Sequence, residues 1–297
     1  MKRTLILILL AVISFSCQRA GRRPGDKLLV TVSILPQKYF IEQIAGNLVD
    51  VNVLIAKGMS HEDYSPTPRQ LQEIEKSTAY IQIGELGFEK IWVPKIASMN
   101  SRMKIYNCSE GINYLRFAGE SNHEVEHSSE NSEYGGYDPH TWMSPKCMKM
   151  IAANVFKELK ELLPSHKQEL EKNYTAFINR IDNIIQMADQ KLGNRSGHKF
   201  MIFHPALGYL AHDYGLEQIS LEHEGKEPST RHLKAVIDQA KASGIKVIFV
   251  QKEFSMSQSQ TVSKEIGGKV IQIDPMDYNW ENQMKGIIVD LSDALNR

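Results

Sequence analysis

The sequence predicts an α/β protein of two lobes, each a mostly parallel β-sheet flanked by helices. Short apolar runs rich in β-branched residues alternate with amphipathic helical segments, which is the pattern of strand–helix–strand units. This alternation occurs twice, on either side of one long helical segment near the middle of the chain. At 297 residues, the chain is also long enough for two hydrophobic cores.

The first lobe is expected over residues 28–163. Its strands follow from four apolar runs, at residues 28–35, 49–55, 79–83 and 103–108. Its helices are expected from Pro36, from Pro68, over residues 88–99 and over residues 145–163. The third of these helices should be interrupted near Pro94, because proline removes a helical hydrogen bond.

Residues 164–193 are predicted to link the lobes as one rigid helix. Pro164 ends the preceding helix, and apolar side chains then recur at helical spacing from Leu170 to Leu192. At ~1.5 Å per residue such a helix spans roughly 40 Å, which suits a strut between lobes. The second lobe is expected over residues 198–297, with the same alternation as the first. The cleft between the lobes is then the natural place for a ligand.

The N-terminal segment is expected to direct export. Residues 1–17 have a basic start followed by a short apolar run, as signal peptides do. Cys17 follows that run and resembles the lipidated cysteine of a bacterial lipobox, and residues 18–27 would form a tether. Ser14 departs from the usual leucine-like residue of a lipobox, so secretion without a lipid is the alternative. The expected location is the periplasm or the cell surface, with lipid anchoring to the membrane.

Charge and cysteine content narrow the range of partners. The 35 basic and 35 acidic side chains balance, so no basic field indicates a nucleic-acid partner. Hydrophobic residues make up 42% of the chain, which suits a globular protein with sizeable cores. The exported part contains Cys108 and Cys147, which we expect to be two unpaired thiols.

Four turns carry side chains of the kind that bind metal ions, each beside a predicted strand or helix. They are Ser60-His61-Glu62, Asp138-Pro139-His140, Phe203-His204-Pro205 and Ile273-Asp274-Pro275. Ligands collect at the carboxyl ends of strands in open parallel sheets. Imidazole and carboxylate together suit zinc, manganese or iron, and no pair of thiolates points to a cysteine-type zinc site.

Longer motifs around these turns carry a specific resemblance. They are Gly58-Met59-Ser60-His61-Glu62-Asp63-Tyr64-Ser65-Pro66-Thr67-Pro68, Asp138-Pro139-His140-Thr141-Trp142, Phe203-His204-Pro205-Ala206-Leu207-Gly208-Tyr209 and Glu227-Pro228-Ser229. In order and spacing they resemble the metal-binding solute-binding proteins of ABC transporters, the ZnuA/TroA-like family. The resemblance implies a monomeric extracytoplasmic protein that binds zinc with high affinity, or alternatively manganese or iron(II), between its lobes. It also implies delivery of the ion to an ABC permease for uptake.

The resemblance places His140, His204 and Asp274 on metal-ligand positions of the family. The first motif departs from the pattern, because the family usually has histidine two residues before Tyr64 and this chain has Glu62 there. His61 lies one residue earlier. Either Glu62 or His61 would therefore complete the site, and a Glu62 ligand would make the site more tolerant of manganese or iron.

Residues 117–136 are polar and acidic and contain His123 and His127. Such a segment has too few apolar side chains to pack. It matches the histidine-rich loop that the family's zinc-binding members carry before the second ligand. We expect it to be an auxiliary loop that captures metal weakly and can be deleted without loss of the principal site.

Two other functions are alternatives to metal transport. A zinc hydrolase would need an open coordination position and a base such as Glu224 or Glu253, but the two-histidine helical signature of zinc proteases is absent. An adhesin that uses the same fold is the second alternative. The sequence therefore favours a metal-binding protein that is not an enzyme.

Overall fold

A computed structural model of the protein describes residues 27–62, 64–117, 136–222 and 228–296. The expectations for Cys17, His123, His127 and Glu224 concern residues outside these ranges. The described part contains two four-stranded sheets, and every strand pair in both sheets is parallel. The predicted fold class, two α/β lobes with a long helix, is confirmed.

The first sheet has the order β2-β1-β3-β4. Its strands are β1 (Leu28–Val32), β2 (Val49–Val53), β3 (Ala79–Gln82) and β4 (Lys104–Asn107). Its helices are α1 (Leu35–Ala45), α2 (Pro68–Glu75), α3 (Gly87–Met99) and α4 (Pro145–Leu162). The inner strand β1 is buried on both faces, because helices cover both sides of a parallel sheet: Val30 and Val32 on one face and Thr31 on the other are fully buried.

Local chemistry sets where these helices begin. Thr67 accepts a hydrogen bond from the backbone N–H of Gln70, whose side chain bonds back to the Thr67 N–H, which completes a capping box for α2. Ser144 caps α4 in the same way by accepting from two backbone N–H groups. The expected interruption of α3 near Pro94 is wrong, since the helix runs through this residue. Pro94 lies on the exposed side, where water can satisfy the carbonyl that it leaves unpaired.

The long helix α5 (Lys167–Leu192) follows a short 3-10 turn, Pro164–His166, and is one continuous element of 26 residues. The second sheet comes after it, in the order β6-β5-β7-β8. Its strands are β5 (Lys199–Ile202), β6 (Glu217–Ser220), β7 (Val247–Gln251) and β8 (Lys269–Ile273). Its helices are α6 (Gly208–Tyr214), α7 (Thr230–Ala242), α8 (Met256–Glu265) and α9 (Trp280–Leu295). The second lobe therefore repeats the strand order of the first.

Helix α5 packs against α1 and α4 from the first lobe and against α9 from the second. Phe177 stacks on Phe40 with ring centroids 6.4 Å apart, and Arg180 donates to Glu281 on α9 at 2.8 Å. These contacts with both lobes are those expected of a strut.

Two tryptophans join the lobes directly near the end of β8. The indole N–H of Trp142 donates to the Pro275 carbonyl at 2.9 Å, and that of Trp280 donates to the Trp142 carbonyl at 2.7 Å. Both rings are buried. Cys108 and Cys147 are free thiols. Among the helices described here, none is long and apolar enough to cross a membrane.

Candidate metal centre

Three histidines come together where loops of the two lobes meet. One ligand nitrogen from each of His61, His140 and His204 lies within 4.8 Å of the other two. The ring centroid of His140 is 5.0 Å from that of His61 and 5.0 Å from that of His204. The side chains are 5%, 1% and 3% exposed respectively. Three buried imidazoles facing one another form a nitrogen-rich pocket for a cation.

Each histidine is placed by the end of a secondary-structure element. His61 lies in the loop between β2 and α2, and His140 immediately precedes the 3-10 turn Thr141–Met143. His204 follows β5, where the Gln251 side chain holds its backbone: the amide donates to the His204 carbonyl at 2.5 Å, and the amide oxygen accepts from its N–H at 3.3 Å. The first lobe therefore supplies two imidazoles and the second lobe one.

Asp138 orients His140. One carboxylate oxygen, Oδ1, accepts from the His140 backbone N–H at 2.8 Å and lies 2.7 Å from ring nitrogen Nδ1. This Asx-type turn makes Nδ1 the protonated nitrogen and leaves Nε2 with its lone pair toward the pocket. Burial raises the pKa of Asp138 to about 7. The Tyr209 hydroxyl on α6 donates to the Asp138 carbonyl at 2.7 Å and so ties this turn to the second lobe.

His204 has two carboxylates at one ring nitrogen. Its Nδ1 lies 2.9 Å from Glu222 Oε2 and 3.0 Å from Glu62 Oε1. Burial lowers the pKa of His204, but hydrogen bonds to Glu222 and Glu62 outweigh this effect and raise the pKa to about 10. His204 is therefore an imidazolium at neutral pH in this arrangement, and its Nε2–H donates to His140 Nε2 at 3.3 Å.

The donor set fits a tetrahedral zinc ion. With zinc–nitrogen bonds of about 2.0–2.1 Å, two ligand atoms of a tetrahedron lie roughly 3.3 Å apart, which is the Nε2–Nε2 separation of His140 and His204. The buried Nδ1 of His61 has no hydrogen-bond partner within the described part of the chain. Burial and the neighbouring histidines hold the pKa of His61 well below its usual value, so this ring is neutral and offers a lone pair.

Aromatic side chains close the pocket from several sides. The Trp142 ring lies 5.1 Å from that of His140, centroid to centroid, and Phe254 stacks on His204 at 5.5 Å. An apolar wall of this kind keeps water away and strengthens the attraction between a cation and its ligands.

The structure brings together some of the predicted site residues and separates others. His61, His140 and His204 meet, and Glu62 reaches the far ring nitrogen of His204 instead of joining the trio. Asp274 follows β8 as expected, but Oδ2 pairs with Lys252 Nζ at 3.1 Å, and Asp274 belongs to neither cluster of ligand atoms in the described residues. Burial raises the pKa of Glu253 to about 6, yet this carboxyl is likewise outside both clusters.

Sequence reasoning missed Glu222 and gave no role to Asp138. Glu222 follows β6 by two residues, at the same sheet edge as His204. The rule that ligands collect at the carboxyl ends of parallel strands therefore could have found it. Asp138 belongs to the motif that contains His140, but an Asp-Pro pair by itself indicates only a turn.

Comparisons with known proteins agree with this architecture. A crystal structure described as ZnuA has a TM-score of 0.81 with this chain and 36% identity, over 91% of this chain and 99% of the other. The high-affinity zinc uptake system protein ZnuA of Bacillus subtilis is 27% identical over 95% of this chain and 89% of its own length. The zinc-binding lipoprotein AdcA of Streptococcus pneumoniae is 26% identical over 96% of this chain, which spans only 57% of AdcA.

The fold and the histidine cluster thus define a two-lobed protein of the metal-binding solute-binding class. The sequence model of one family, described as zinc-uptake complex component A, periplasmic, matches residues 30–290. The chain belongs to this family.

Proposed function

We propose that this protein is an extracytoplasmic, high-affinity zinc-binding protein that delivers the ion to an ABC permease for uptake. The observation that carries the proposal is the buried trio of His61, His140 and His204, with two Nε2 atoms 3.3 Å apart. Membership of a family described as a periplasmic zinc-uptake component supports it. The same family description names a component of an uptake complex, so the protein is a binding component and not an enzyme.

The three histidines are the proposed protein ligands, and one oxygen ligand completes a tetrahedral site. Glu62 and Asp274 are the candidates for that oxygen. Glu62 Oε1 lies 3.0 Å from His204 Nδ1, whereas Asp274 would have to break its ion pair with Lys252 before it could bind the metal. Because His61 and His140 come from one lobe and His204 from the other, the bound ion would bridge the lobes in the cleft between them.

Three imidazoles favour zinc over manganese, which prefers carboxylate, carbonyl and water ligands. Iron(II) accepts imidazole, so it is the stronger competitor of the two. Metal analysis of protein purified without added metal, followed by competition among zinc, manganese and iron(II), decides between them. We expect one tightly held zinc ion for each chain.

Single substitutions test the site. His140→Ala and His204→Ala should each lower zinc affinity by at least about 100-fold, because a closed site loses one of its few ligands. His61→Ala should do the same. His212→Ala is the matched control, since this histidine is exposed on α6 and touches none of the three. If all three variants bind zinc as tightly as the control in a chelator competition, the proposed function is wrong.

The remaining features are proposed on the sequence alone. Residues 1–17 are a signal peptide, Cys17 is lipidated and residues 18–27 form a tether, so the protein is anchored to the membrane as a monomer. The lobes extend over residues 28–163 and 198–297, with residues 164–193 between them. Mass spectrometry of the native protein beside a Cys17→Ser variant tests the lipid. Only the unsubstituted protein should carry an acylated N-terminal cysteine.

His123 and His127 are proposed to capture additional zinc weakly. Deletion of residues 122–132 should remove weak zinc equivalents and leave the tight equivalent unchanged in calorimetry. Loss of the tight equivalent would instead make one of these histidines a principal ligand.

A further inference from the structure

Glu62, His204 and Glu222 form a second cluster of ligand atoms, in which the proposed function gives no role to Glu222. Both carboxylates lie within hydrogen-bonding distance of the same ring nitrogen, His204 Nδ1. An imidazole nitrogen carries one hydrogen and can make one strong hydrogen bond. One of the two carboxylates is therefore redundant for holding His204.

The two carboxylates differ in how firmly they are held. The backbone N–H of Glu222 bonds to the Phe203 carbonyl at 2.9 Å, which extends the pairing of β5 and β6 up to His204. Glu222 Oε2 faces His204 Nδ1, and Oε1 is buried without a partner among the described residues. Glu62 instead lies in the loop between β2 and α2, and its N–H bonds to the Ser60 hydroxyl at 3.1 Å.

We propose that Glu222 is a positioning residue, which holds His204 through Nδ1 and thereby frees Glu62 to become the fourth ligand of the metal ion. The assignment rests on the proposed function. Glu62 directly follows His61, so its backbone already lies beside the three histidines. Rotation of its side chain would move the carboxylate from His204 Nδ1 to the metal ion. Glu222 is the better placed of the two to stay on His204 Nδ1, because its backbone N–H is bonded to the Phe203 carbonyl, directly before His204.

The proposal separates the roles of two similar side chains. Glu62 touches the ion when zinc is bound. Glu222 acts through His204, as outer-shell carboxylates do for ligating histidines. This assignment of roles makes Glu62, and not Asp274, the oxygen ligand of the metal ion. Asp274 then stays paired with Lys252.

Replacing zinc with cobalt(II) tests this role of Glu222, because a purely structural role would leave the absorption spectrum of the bound cobalt unchanged. The visible absorption of bound cobalt(II) reports the number and type of its ligands. Wild type, Glu62→Ala, Glu222→Ala and Glu222→Gln are each loaded with one equivalent, and zinc affinity is measured in parallel. Glu217→Gln is the matched control, because this residue lies on β6 and pairs with Lys199 at 2.6 Å, away from His204.

Glu222→Ala should change the cobalt spectrum in the same way as Glu62→Ala, because Glu62 then stays on His204 and water takes its place on the metal. Zinc affinity should fall by about 10–100-fold in Glu222→Ala. Glu222→Gln keeps an acceptor oxygen in a side chain of the same shape, so it should restore the wild-type spectrum. If Glu222→Ala fails to fold, Glu222→Leu, which has a side chain of similar size without an acceptor oxygen, takes its place. Glu217→Gln should match wild type in both measurements.

Two results would overturn the assignment while leaving the proposed function intact. If Glu62→Ala changes the spectrum and Glu222→Ala does not, Glu62 reaches the metal without help from Glu222. If neither variant changes the spectrum, both carboxylates stay on His204 when metal is bound. Failure of the wild-type protein to bind either cobalt or zinc would overturn the proposed function and this assignment together.

Discussion

At the scale of single residues, the centre is organised by which ring nitrogens carry hydrogen. Asp138 fixes the tautomer of His140, and the carboxylates beside His204 hold this ring in its charged form. Burial lowers the pKa of His140 and leaves this ring neutral. A zinc ion must therefore displace one proton, from His204 Nε2, while the other two rings are ready to bind.

This predicts how zinc affinity depends on pH. Because the pKa of His204 is raised to about 10, proton competition persists throughout the neutral range. Affinity should rise about tenfold for each pH unit between about pH 7 and 9, measured by chelator competition. Unperturbed histidines would instead give a loss only below about pH 6.5. Affinity that stays constant from pH 7 to 9 would contradict a charged His204.

Residue types and chain order were enough to find His61, His140 and His204, since each stands in a turn beside a predicted strand or helix. They were not enough to assign partners. The pairing of Asp274 with Lys252 depends on β7 and β8 lying side by side, and the pairing of Glu222 with His204 depends on β5 and β6. Such contacts join residues about 20 positions apart, and no local pattern in the sequence marks them.

At the scale of elements, helix α6 fixes the Asp138–His140 turn, which belongs to the other lobe. A side-chain carbon at Gly208 would overlap with Asp138 Oδ2, so the close approach requires glycine. Gly208→Ala should displace Asp138, and with it His140, and lower zinc affinity by about 10–100-fold, as loss of outer-shell support does. Gly286→Ala on α9 is the control, since nothing lies near its added carbon among the described atoms. Equal zinc affinities in calorimetry would show that Asp138 can move without disturbing His140.

Helix α4 carries a buried carboxyl with a separate consequence for stability. Burial, and then the charge of Glu110, raises the pKa of Glu158 to about 8, and Glu158 Oε2 has no partner in the described residues. The folded protein therefore binds this proton more tightly than the unfolded chain does, so the contribution of Glu158 to stability is lost as pH rises toward 8.

Replacement of Glu158 by glutamine removes that ionisation. Glu158→Gln should be more stable than wild type at pH 9, by on the order of 1–3 kcal/mol in urea unfolding, and the difference should shrink at pH 5. Glu161→Gln, on the exposed side of the same helix, should show no such gain. A difference between Glu158→Gln and wild type that is the same at both pH values would contradict a raised pKa.

At the scale of the whole molecule, the fold could be predicted because each lobe repeats one simple alternation and α5 has an uninterrupted apolar stripe. The stripe is buried in the structure through Leu170, Phe177, Ile181 and Ile184. Element ends were less predictable. The first strand stops at Val32, short of the predicted residue 35, because α1 already starts at Leu35.

The packing of α5 against both lobes restrains their relative movement. Phe177 contacts Phe40 in the first lobe and Arg180 contacts Glu281 in the second, and the imidazoles of both lobes are already at the separation of two ligands of one ion. Small-angle scattering with and without zinc should therefore give nearly the same radius of gyration. A large compaction on zinc addition would contradict a rigid strut.

The central claim is that two lobes hold one zinc ion through three imidazoles. X-ray absorption at the zinc edge, on full-length protein loaded with one equivalent, tests it most directly, because imidazole rings give a distinct scattering pattern that can be counted. We expect three imidazole nitrogens and one oxygen, with zinc–nitrogen distances of about 2.0–2.1 Å. Two imidazoles with two carboxylate oxygens would contradict it, since His61 would then lie outside the coordination sphere.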